Sequence, residues 1–96
     1  MTEQLTIEMF TNLEDREFIV DVDESHSVGM ELLDVKPLKQ GSDGRRPFSL
    51  LFRGPDEPVY PEKTYRFEHI ELGAYDIPIT PVGSDSEGVR YEAVIS

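Results

Sequence analysis

A chain of 96 residues with 38% apolar side chains can build one domain with a thin core and little more. Its 20 acidic against 9 basic residues give a formal net charge of −11, a surface that repels phosphate backbones and anionic lipid heads, so neither nucleic acid nor membrane is an expected partner. With no Cys and two His there is no disulfide and no ordinary zinc set; a cytoplasmic setting is expected, with export as the other setting.

The opening MTEQLTIEMF lacks the basic stretch of a signal peptide, and no apolar run reaches membrane-spanning length. Thr6 fits a helix N-cap, with Glu8 in the first turn where a carboxylate favours the exposed amides. Leu5, Met9 and Leu13 recur every fourth residue beside Phe10, which predicts an apolar stripe on a helix of about two turns. So short a helix must dock on something, most simply the open end of a barrel. Leu5 and Phe10 also have the spacing of a hydrophobic staple. Acids crowd this first third of the chain, where Arg16 is the one strong base between Glu3 and Asp34.

Phe18, Val20 and Val22 alternate with polar neighbours and predict a strand. Asp23 to Ser27 reads as a turn, and Val28 to Val35 as the returning strand. Its phase changes at Leu32-Leu33, as a β-bulge would require. Pro37 to Arg46 is polar and contains Ser-Asp-Gly, a turn signal. Phe48, Leu50 and Phe52 share the face of a third strand. Gly54 to Pro61, broken by three prolines, predicts a long irregular loop. Tyr65, Phe67 and His69 form one face of a fourth strand, and Gly73 separates it from Tyr75, Ile77 and Ile79 in a fifth. Pro78 cannot donate to a ladder, so it belongs at an edge or a bulge, and Pro81 repeats the signal. Gly83 to Gly88 reads as a polar turn before a last strand carrying Tyr91, Ala93 and Ile95. The whole predicts one domain, 1–96: mainly β, a small antiparallel barrel of about six strands (or a curled meander or sandwich), with one short N-terminal helix.

F-S-L-L-F-R-G-P at 48–55, Y-R-F-E-H at 65–69, Leu72-Gly73, the stretch 79–83, Y-E-A-V at 91–94 and L-T-I-E-M-F at 5–10 together resemble a family of small bacterial proteins and domains of unknown function. The resemblance spans nearly the whole chain. It implies a β domain that sometimes occurs near phage-tail-like genes and an assembly role, and it brings no known chemistry.

Four chemistries can be weighed on the residues. Asp21, Asp23, Ser25 and Ser27 fall in an EF-hand-like register, but His26 stands where Gly is wanted and Leu32 where a closing Glu is needed, so a solvated turn is expected. His69 is expected to be a hydrogen-bonded structural residue near a rim. A triad of His69, Ser49 and Asp34 can be written, yet no serine has a nucleophile-elbow setting. Among 20 acids, a glycosidase-like pair would arise by chance.

The fourth is recognition by the 53–61 loop. Tyr60, stiffened by Val59 and Pro61, is an amphipathic anchor, and Arg53 could pair with Asp56 or with a partner's carboxylate. The competing reading has Tyr60 folded back to close the barrel mouth. The expectation is a non-enzymatic structural or protein-interaction domain using Arg53, Asp56 and Tyr60, with no catalytic residue, cofactor or metal. A protein partner fits it, and the oligomeric state stays open. The alternative is a small-ligand or carbohydrate-binding β-barrel.

Overall fold

Alternating apolar residues with Gly and Pro between them give strands that can bury one face each, and a closed barrel buries all those faces at once. The computed structural model describes residues 5–39 and 46–95, so the Ser42-Asp43-Gly44 turn lies outside the described residues. The elements are α1 Ile7–Thr11, β1 Glu17–Asp21, β2 Ser27–Pro37, β3 Phe48–Gly54, β4 Lys63–His69, β5 Gly73–Asp85 and β6 Gly88–Ile95. The strands form a closed antiparallel barrel in the order β1-β2-β3-β6-β5-β4, with β4 returning to β1.

That order is two three-stranded meanders, β1-β2-β3 and β4-β5-β6, joined at two seams, β3–β6 and β1–β4. Each has a long middle strand with one bulge. In β2 the register shifts between Leu32 and Asp34, where the sequence phase changes; in β5 it shifts between Pro81 and Gly83. The extra residue re-aims the side chains and lets each long strand bend from one neighbour to the next. Pro78 sits in the part of β5 paired with β4, beyond the start of the β5–β6 ladder at Thr80.

Two expectations about extent change. The helix has one turn, not about two: Asn12 already leaves helical geometry, and Phe10 is its fully buried residue, with Leu5, Met9 and Leu13 partly buried against the core beside it. β5 runs on to Asp85, which reduces the polar turn to its last residues, because the bulge lets Gly83 and Ser84 pair with Arg90 and Val89.

The core is the inward face of every strand: Phe18, Val20, Met30, Leu32, Phe48, Leu50, Phe52, Tyr65, Phe67, Ile77, Ile79, Val89, Tyr91 and Ala93, with Phe10 from α1. Phe18 is its hub. Its ring lies 5.4 Å from Phe52, 6.1 Å from Phe67, 6.3 Å from Phe10 and 4.7 Å from His69, between centroids.

Candidate functional site

In the ring of strands β3 and β4 stand on opposite sides, so the segment 55–62 that joins them must cross the barrel mouth. Two phenols hold it there. The Tyr60 N–H donates to the Tyr91 hydroxyl at 2.9 Å, and the Tyr65 hydroxyl donates to the Pro61 carbonyl at 2.7 Å. Burial pushes both the Tyr65 and Tyr91 hydroxyls above their ordinary pKa. Tyr60 itself is half-buried against the core, while Asp56 and Val59 are exposed.

Arg53 does not meet Asp56. Its guanidinium reaches Asp85 at 3.0 Å and Glu87 at 2.9 Å, with Glu31 at 3.9 Å. Arg53 lies opposite Arg90 across the β3–β6 seam, and the Asp85 carboxylate bonds both, Arg90 at 2.9 Å. Asp85 also accepts the Glu87 and Gly88 N–H groups. The Glu87 amide, then Arg90 and Arg53, hold its carboxyl well below the ordinary carboxylate range. The arrangement requires glycine at 88: a Cβ there would collide with the Gly54 carbonyl oxygen. Thus, of the three residues singled out for recognition, Arg53 and Tyr60 are engaged by the barrel itself and Asp56 stands apart from both.

The remaining sequence candidates resolve similarly. In the β1–β2 turn the Asp23 carboxylate accepts the Ser25 N–H at 2.9 Å and meets His26 Nδ1 at 2.9 Å; these contacts, the Ser25 amide first, lower its pKa. Among the described residues no three His, Asp or Glu side chains gather as a metal-holding group. His69 is 5% exposed and fully engaged with backbone. Nδ1 accepts the N–H groups of Glu71 (3.0 Å) and Leu72 (3.3 Å), which assigns the proton to Nε2 and makes Nε2 the donor to the Asp15 carbonyl at 2.5 Å. With both ring nitrogens taken by backbone groups, His69 bonds neither Ser49 nor Asp34, so the triad is not assembled.

His69 nonetheless lies under the most suggestive surface of the molecule. By capping two amides of the β4–β5 turn it fixes Ile70 at the tip, and Ile70 is 85% exposed. Beside it Ile19 projects from β1, 48% exposed. Asp15, Glu17, Ile19, Glu68, His69 and Ile70 line a shallow groove of about 370 Å³ along the β1–β4 seam. Sequence reading missed this site. Ile19 and Ile70 sit at outward positions of their alternations, where one apolar residue is unremarkable, and only closure of β1 onto β4 brings them together.

No described helix is long and apolar enough to cross a membrane. No curated protein and no solved structure matches the chain. A family model does match it, over residues 5–95, from Leu5 before α1 to the end of β6: the chain belongs to the family described as Domain of unknown function (DUF6916).

Proposed function

We propose that this protein is a non-enzymatic interaction domain that binds another protein through the outer surface of its barrel. The observation that carries the reading is Ile70: a large apolar side chain, 85% exposed, on a turn whose amides are pinned by a buried His69. Covering such a residue contributes about 1.5–3 kcal/mol, and a turn already ordered loses little entropy on binding. The packed interior also supports a surface over a pocket, since Phe10, Phe18, Phe52 and Phe67 fill it with rings in contact. A place in a bacterial, tail-like assembly, or in the cytoplasm, belongs to this proposal as its setting.

The test is pairwise binding of the full chain to the products of its neighbouring genes. Ile70→Asp is compared with Val94→Asp, which lies on β6, across the barrel from β1. We expect a partner whose binding falls about tenfold or more with Ile70→Asp and is unchanged with Val94→Asp. A partner indifferent to Ile70→Asp, or specific binding of a glycan or metabolite instead, would overturn the reading.

A further inference from the structure

The groove along the β1–β4 seam has a chemistry of its own. Three of its six lining residues are carboxylates, Asp15, Glu17 and Glu68, and two are exposed isoleucines, Ile19 and Ile70. The carboxylates are poorly matched within the molecule. Glu17 lies directly opposite Glu31 in the β1–β2 pairing, a like-charge placement, and the Arg53 that faces Glu31 at 3.9 Å is shared with Asp85 and Glu87. The Asp15 carboxylate accepts the Glu17 N–H, and among the described residues neither it nor Glu17 forms an ion pair with Arg16, between them in sequence. Among the described residues Glu68 is the one of the three with an ion pair, to Arg66 at 3.2 Å, which also faces Asp21 at 3.9 Å.

The walls are low as well. Cross-strand pairing sets Gly29, Ile19, Glu68 and Ala74 in one row over β2, β1, β4 and β5, so the neighbours flanking Ile19 and Glu68 are the two smallest side chains available. A Cβ added at Gly29 would meet the Glu17 carboxylate at 3.9 Å, an ordinary contact, so a Glu17 oxygen lies close over Gly29, the residue opposite Ile19.

We infer that this groove docks a basic extended segment of a partner protein. One apolar side chain of that segment rests between Ile19 and Ile70, and flanking Lys or Arg side chains meet Asp15, Glu17 and Glu68. The inference rests on the protein-interaction reading above and adds the chemistry of the partner. Charge complementarity selects it. The groove is anionic on a chain of net charge −11, which speeds encounter with a basic segment and rejects an acidic one, while the isoleucines supply the area that exposed ion pairs alone would not.

The test is selection of random peptides displayed on phage against the full chain, followed by binding of the enriched peptides, made synthetically, to the wild type, Ile70→Asp, Glu17→Lys and Glu68→Lys. The expected peptides carry Lys or Arg on both sides of an apolar residue. Their binding falls about tenfold or more in each variant and weakens steeply as salt rises from low to physiological strength. Melting of each variant guards against loss of fold, and Glu17→Gln serves in place of any reversal that unfolds. Enriched peptides that need Ile70 but are neutral or acidic, with binding indifferent to Glu17 and Glu68, overturn the basic partner and leave the interaction reading standing. If no enriched peptide depends on Ile70, both fall.

Discussion

His69 illustrates how one side chain can organise a surface it hardly reaches. Its ring packs on Phe18 while its two nitrogens tie the Asp15 carbonyl to the amides of Glu71 and Leu72, so the approach to β1 and the β4–β5 turn share one buried joint. Truncation removes the ring contacts and strands these backbone groups, and His69→Ala is expected to cost about 2–4 kcal/mol in urea unfolding. A loss below about 1 kcal/mol would show that the turn holds itself. The sequence made His69 legible as a satisfied structural residue on an inward face. It hid the turn-capping role, because acceptance of amides two and three residues ahead is usually sought in Asp, Asn or Ser. For Arg53 and Tyr60 the sequence hid the partners for another reason: Asp85 and Tyr91 are distant in sequence and become neighbours only in the closed barrel, where Tyr60 packs back against the core as the competing reading had it.

At the scale of elements, period-two alternation located the strands well, because each has one face buried in a single core, and the phase change at Leu32-Leu33 marked a real bulge. Pro81, which signalled an edge or a bulge, stands at the bulge in β5. What stayed hidden was the strand's continuation past it, since nothing local says that β6 will pair with Gly83 to Asp85. The helix was overextended for a related reason. A stripe of Leu5, Met9 and Leu13 suggests two turns, but only Phe10 is fully buried, its ring 6.3 Å from Phe18 and 5.9 Å from Phe48. One turn has no stability of its own, so the element depends on that docking. Phe10→Ala is expected to cost about 3–5 kcal/mol, and the half-buried Met9→Ala roughly half as much. The Phe10 variant should also expose the N-terminal segment to protease while the barrel still melts cooperatively. Equal losses in the two variants would mean that the stripe, not the single ring, holds the helix.

Across the whole molecule, closure depends on how the meanders are fastened at their seams. The Asp85 carboxylate joins Arg53 of β3 and Arg90 of β6 to the end of β5, and Arg53 continues to Glu31 of β2. Because the folded state holds the Asp85 carboxyl below its ordinary value of 3.8, its contribution is fully present above that pH and is lost as pH falls toward the folded-state value. Asp85→Asn should therefore be less stable than the wild type at neutral pH, and the gap between their denaturation midpoints should close as pH drops below about 4. A gap that stays constant through acid would assign the effect to geometry rather than charge.

The two-meander layout also decides where chain entropy is spent. Within each meander successive strands are joined locally, so most pairings form at small loop-closure cost. Ile19 with Glu68, and Phe48 with Ile95, instead unite residues about half the chain apart. Closure entropy grows only logarithmically, by about 0.6 kcal/mol per doubling of loop length, and once one seam has formed the other closes within an already shortened loop. The seams are thus thermodynamically coupled. A ligand clamped across β1 and β4 would tighten β3 against β6 on the far side of the barrel without touching either strand.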